Sequence, residues 1–149
     1  MRTRIDIVTT HRDHRGSLFE PGDEQHLSGK RNLHVVLTEP GFVRGNHRHV
    51  VGTEITVVTG PAFVRLREDG VDHDVEIPDG QTWRFTIPPG VAHGFSALTD
   101  MTITYLVDGY YNPKDELGLA WNDPAVTADW GIADPILSDV YKTVGFLKP

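Results

Sequence analysis

The chain has 149 residues, a formal net charge of -7 and no cysteine. That length suits one domain with a sizeable core, and the missing cysteines exclude a disulfide frame, a thiolate metal site and a cysteine nucleophile. The acidic balance contains no run of like charges, and no signal peptide or bilayer-spanning apolar stretch is read, so no nucleic acid, no membrane and a cytoplasmic location are expected.

In chain order, short apolar alternations separated by Gly and Pro predict strands over 33–38, 42–49, 54–59, 62–67, 71–77, 83–87 and 101–107. Glu39-Pro40-Gly41, Gly60-Pro61 and Pro78-Asp79-Gly80 are stops, and Asp69-Gly70 is a strong hairpin signal. Within 62–67, Val64 and Leu66 oppose Arg65 and Arg67, which are expected on a solvated face. From Tyr110 the periodicity fades into a loop-rich segment, with Trp121 and Trp130 expected to pin it by apolar burial. Short strands at this spacing predict an all-β, antiparallel barrel or double-sheet jelly roll. The expected layout is an N-terminal arm over 1–30, a barrel over 31–108 and a C-terminal cap over 109–149.

The most informative run is Arg44-Gly45-Asn46-His47-Arg48-His49. Side chains two apart on a strand share a face, so both imidazoles point one way. They hold a metal, move protons for a substrate, or sit as ordinary core histidines. Pro88-Pro89-Gly90-Val91-Ala92-His93 delivers a third imidazole after a turn. Tyr105 alternates with Ile103 and Val107, and its competing reading is a buried tyrosine with a satisfied hydroxyl. Arg44, beside Gly45, suits an anionic group such as a phosphate.

These segments resemble the cupin superfamily of small jelly-roll barrels. Its first motif stands here as Gly41, His47, His49, Glu54 and Gly60, and its second as Pro88, Gly90 and His93. The resemblance implies that, if a divalent metal is present, His47, His49, Glu54 and His93 hold it. Glu54 lies one residue nearer Gly60 than the motif asks, which puts Thr53 in the carboxylate slot, and Ala97 fills an asparagine slot. The four ligands therefore converge only if the Val50-Val51-Gly52 loop absorbs the offset.

Asp13-x-Arg15-Gly16, Glu20, Arg44-Gly45-x-His47, Ala92-His93-Gly94-Phe95, Tyr105, Tyr111-Asn112-Pro113, Glu116, Gly118, Trp121-Asn122-Asp123-Pro124, Trp130 and Leu137-Ser138 together resemble the dTDP-4-dehydrorhamnose 3,5-epimerase family. That resemblance implies a cofactor-free isomerase acting on a nucleotide-diphosphate sugar with a 4-keto-6-deoxyhexose. It makes His47 the base and Tyr105 the acid, with Arg15, Glu20, Arg44, His93, Tyr111 and Glu116 on the substrate, in a homodimer. A ketone acidifies its neighbouring C–H bonds, so a neutral imidazole suffices as base. Three positions depart from the family. Its acidic partner of the base falls at Tyr141, with Asp139 nearby; its lysine for the enolate oxygen falls at Thr53; and His49 is an added histidine. The chain is also similar to the sugar-nucleotide 3,4-ketoisomerases in Asp13 to Leu18 and in Arg-Gly-x-His-x-His, which implies His47 and His49 shuttling a proton between C3 and C4. A divalent-metal cupin and a non-catalytic sugar-nucleotide binder stay open beside these readings.

Overall fold

The structure, a computed structural model, describes residues 1–13, 16–19, 21, 31–99, 101–108, 116–118, 120 and 122, and for 12, 13, 16–18, 31–34, 101, 105–108 and 116 it describes the backbone alone. Its elements are β1 (Arg4–Ile7), β2 (Thr10–Asp13), β3 (Gly16–Phe19), β4 (Arg31–Thr38), β5 (Val43–His49), β6 (Glu54–Thr59), β7 (Ala62–Glu68), β8 (Val71–Ile77), β9 (Thr82–Ile87), β10 (Ala92–Ala97), β11 (Met101–Asp108) and β12 (Glu116–Gly118). One antiparallel sheet runs β1-β9-β6-β11-β4 and the other β12-β5-β10-β7-β8, while β2 and β3 pair with each other. This is the all-β, cupin-type antiparallel jelly roll expected. No helix among the described residues is long and apolar enough to cross a membrane.

Local chemistry accounts for the turns. Asp69 and Gly70, at φ 49° and 79°, both take the left-handed conformation that a tight two-residue hairpin demands, and Glu68 pairs with Val71 across it. Strands over 54–59 and 71–77 fall where the alternation predicted them. The core lies between the sheets, where Val58, Phe85, Ile87 and Ile103 of one meet Val64, Leu66, Ile77, Phe95 and Ala97 of the other. Each large side chain buried there contributes about 1.5–3 kcal/mol of transfer free energy.

Two details tie the sheets and hairpins together. Glu68, buried at the end of β7, accepts hydrogen bonds from Thr3 N (2.9 Å), Thr3 Oγ1 (2.7 Å) and Arg2 N. Because β1 belongs to the opposite sheet, this carboxylate clasps one sheet to the other. Arg65 departs from the solvated face expected for it: it is 6% exposed. Its guanidinium grips Asp74 on β8 through Nε (2.6 Å) and Nη2 (2.5 Å) and lies over the Phe63 ring, which together cover it.

Candidate active site

The site begins with an irregularity in β5. His93 on β10 pairs with His47, Gly94 with Gly45 and Phe95 with Arg44, so one step on β10 takes two on β5 and Asn46 is the inserted residue. Gly45 and Asn46, at φ 73° and 59°, are both left-handed, a conformation that a Gly-Asn pair tolerates. Regular pleating would send Arg44 and His47, three apart, to opposite faces. The bulge instead sets them opposite Phe95 and His93, which share a face of β10. A Cβ on Gly45 would lie 3.2 Å from the His93 carbonyl oxygen, so the close approach of the two strands also needs glycine.

Two further segments complete the frame. Gly90 N donates to His49 O at 2.8 Å, docking the turn that leads into β10 against the end of β5. Residues 50–53 then carry the chain to the other sheet, where β6 opens on Glu54, opposite Ile87 and Val107. This link absorbs the one-residue offset, so Glu54 and not Thr53 supplies the carboxylate.

All three imidazoles meet that carboxylate. Glu54 Oε2 lies 3.0 Å from His49 Nε2, 3.4 Å from His93 Nε2 and 3.8 Å from His47 Nε2. The His47 ring packs edge-on against both neighbours, with centroids 5.1 Å from His49 and 4.8 Å from His93. The Thr56 hydroxyl donates to Glu54 Oε1, leaving Oε2 to the histidines. Glu54 is 2% exposed and the His93 side chain is fully buried, whereas the His47 side chain retains 12%. Burial alone would raise the Glu54 pKa, but the charge of His93 and hydrogen bonds from His47, His49 and His93 hold it well below the usual carboxylate range. His93 Nδ1 lies 3.1 Å from Val91 O, an acceptor only, so Nδ1 carries the proton. That anchor aims Nε2 at Glu54 Oε2. An uncompensated carboxylate at this depth would cost several kcal/mol. The Thr56 hydroxyl and the ring nitrogens of His49 and His93 supply that compensation.

Of the residues singled out in the sequence, His47, His49, Glu54 and His93 come together, with donor atoms all within 4.8 Å of one another. Arg44 is exposed on the same face, with Nε donating to Thr38 Oγ1 at 3.1 Å. Tyr105 stands in β11 opposite Thr56, and Glu116 in β12 opposite His49, but both side chains lie outside the described residues. Arg15, Glu20 and Tyr111, with Trp121, Trp130, Asp139 and Tyr141, are outside them altogether. Sequence reasoning missed Thr56 and the Val91 carbonyl. The Glu54-x-Thr56 spacing, which puts both on one face, was the available signal for the first.

A sequence model of the family described as dTDP-4-dehydrorhamnose 3,5-epimerase matches residues 5–148. The Neisseria gonorrhoeae dTDP-4-dehydrorhamnose 3,5-epimerase is 34% identical over 110 residues, covering 66% of this chain and 34% of that protein. The spore coat polysaccharide biosynthesis protein SpsL of Bacillus subtilis is 31% identical over 141 residues, 85% of this chain and 93% of SpsL. Matches to several other curated relatives span between 32% and 55% of their length, so this chain spans only part of them. The solved rmlC epimerase of Mycobacterium tuberculosis superposes with a TM-score of 0.79 at 25% identity, over 97% of this chain and 83% of that one. With one family pattern running from residue 5 to residue 148, through the bulged strand and the histidines it positions, the chain belongs to the dTDP-4-dehydrorhamnose 3,5-epimerase family.

Proposed function

We propose that the chain is a sugar-nucleotide epimerase that removes a proton from carbon next to the ketone of a nucleotide-diphosphate-linked 4-keto-6-deoxyhexose. The observation that carries this reading is the convergence of His47 and its two neighbouring imidazoles on the buried Glu54 carboxylate, in a chain of this family. His47, the most exposed of the three, takes the C3 proton while the C–H electron pair moves onto the C4 oxygen as an enolate. Glu54 stabilises the imidazolium so formed. Tyr105 returns a proton from the opposite face and inverts the carbon, at C3 alone as a 3-epimerase or at C3 and then C5 as a 3,5-epimerase. Arg44 holds the diphosphate, and Arg15, Glu20, Tyr111 and Glu116 contact the sugar or nucleotide, whereas His93, expected on the substrate, is fully buried and backs Glu54 instead. Enolisation by this route needs no cofactor. The working unit is a cytoplasmic homodimer.

A second reading, 3,4-ketoisomerisation, draws support from His49 beside His47. Incubating 4-keto sugar nucleotides with the protein in deuterated water distinguishes the two. Label at C3 and C5 marks the double epimerase and label at C3 alone the monoepimerase, while a carbonyl moved to C3 marks the ketoisomerase. No label at either carbon refutes the enzymatic reading. His47→Asn abolishes exchange with the fold intact, and retained exchange in that variant removes His47 as base.

A further inference from the structure

We propose that Thr56 is a positioning residue for the base: its buried hydroxyl fixes the Glu54 carboxylate so that one oxygen meets the imidazoles and steadies the imidazolium that His47 becomes. The hydrogen-bond geometry stands by itself, whereas the effect on turnover rests on the epimerase reading. A glutamate carboxylate turns about its last side-chain bond in a broad well, so burial alone does not decide which oxygen it presents. Glu54 nonetheless presents Oε2, at 3.0 Å from His49 Nε2, 3.4 Å from His93 Nε2 and 3.8 Å from His47 Nε2. Its other oxygen, Oε1, accepts from the Thr56 hydroxyl. The two residues are two apart on β6 and therefore share a face.

Thr56 is held where it can keep that bond. β6 is the middle strand of its sheet, and Thr56 stands opposite Phe85 on β9 and Tyr105 on β11. Branching at Cβ stiffens its side chain. Thr56 is fully buried, so bulk water does not reach the hydroxyl, and a buried hydroxyl needs a partner. Among the described residues, the hydrogen bond to Glu54 Oε1 comes from Thr56. Without that donor the carboxylate turns both oxygens toward the nearer His49 and His93, and His47, the farthest of the three, loses its counter-charge first. At Tyr141, where the family resemblance expects the acidic partner of the base, the side chain carries no charge. Thr56 thus acts on proton removal through Glu54, and not on substrate affinity.

The test compares Thr56→Val, which keeps the shape and loses the donor, with Thr56→Ser, which keeps the donor and loses a methyl group. Deuterium exchange into a 4-keto-6-deoxy sugar nucleotide is followed against substrate concentration, beside urea unfolding of each variant. Thr56→Val lowers kcat by at least about 10-fold, roughly 1.4 kcal/mol in barrier, with KM within about twofold of wild type. Thr56→Ser keeps kcat within about threefold although it is the less well packed variant. Activity that follows the urea midpoint instead of the hydroxyl overturns the proposal. So does wild-type kcat in Thr56→Val, or a rise in KM that accounts for its whole loss. If Thr56→Val does not fold, Thr56→Ala takes its place with the same outcomes. The ring-nitrogen NMR signals of His49 give a readout independent of turnover: they shift in Thr56→Val and stay in Thr56→Ser. Unshifted signals in Thr56→Val overturn the positioning of Glu54. Wild type that exchanges no label strikes the epimerase reading and the effect on turnover, and the ring-nitrogen signals then decide whether Thr56 fixes Glu54.

Discussion

Replacing Gly45 by alanine tests whether the β5 bulge is what assembles the site. The substitution meets two obstacles. An L-residue in the left-handed region costs about 1–2 kcal/mol. The new Cβ would also lie 3.2 Å from His93 O, 3.3 Å from Gly94 Cα and 3.4 Å from Phe95 Cδ2, so β10 must retreat by a few tenths of an ångström. Crowding of this kind adds about 1 kcal/mol, the low end of the range for overpacked sites. Gly70→Ala supplies the control, since Gly70 has a similar φ of 79° and a Cβ there would meet nothing within 4 Å. Urea unfolding should give a loss of about 1–2 kcal/mol for Gly70→Ala and about 2–3 kcal/mol for Gly45→Ala. Both variants stay folded on a typical stability of about 5–15 kcal/mol. Deuterium exchange should separate them more sharply: unchanged in Gly70→Ala, but lower by about 100-fold in Gly45→Ala, because small misplacements of reacting groups cost that much. Equal stability losses in the two variants, or full exchange in Gly45→Ala, would refute the reasoning.

The Glu68 clasp makes an acid-sensitive contribution. Burial pushes its carboxyl up, but the Thr3 hydroxyl and the Arg2 and Thr3 backbone N–H groups outweigh that and hold its pKa below the ordinary value. The contribution is therefore complete above the unfolded-chain value of about 4.3 and fades as pH falls through the lower folded value. Wild type should exceed Glu68→Gln by about 1.5–3 kcal/mol at pH 7 in urea unfolding, and the gap should close in acid; a gap independent of pH contradicts this account. Phe95→Ala, fully buried between the sheets, should cost about 3–5 kcal/mol in the same assay. A loss under about 1 kcal/mol would mean that the surrounding core collapses into the space.

Much of the frame is legible in the sequence because it rests on local chemistry. Asp69-Gly70 names its own turn, and the spacing of His47 and His49 names their common face. The strands that alternation does not reveal depend on their partners. β1 and β12, four and three residues long, carry too little alternation to stand out and exist through pairing with β9 and β5. Arg65 defies its expected exposure because its burial comes from Asp74 and Phe63, which the pattern along one strand does not disclose. Counting back from Gly60 puts the carboxylate slot at Thr53, since a fixed count ignores what a connecting segment absorbs. The bulge leaves a readable trace, two adjacent residues tolerant of positive φ. The alternation on either side of it nonetheless looks unbroken.

The three imidazoles hang from one sheet and the carboxylate from the other, so the thickness of the apolar core sets the gap between them. The jelly roll thus acts as a caliper whose jaws are the two sheets and whose spacer is the layer of Phe85, Phe95, Val58 and Ile103. Side chains that never touch a substrate then determine how closely His49 and Glu54 approach each other. Core volume and site geometry are, in this chain, set together.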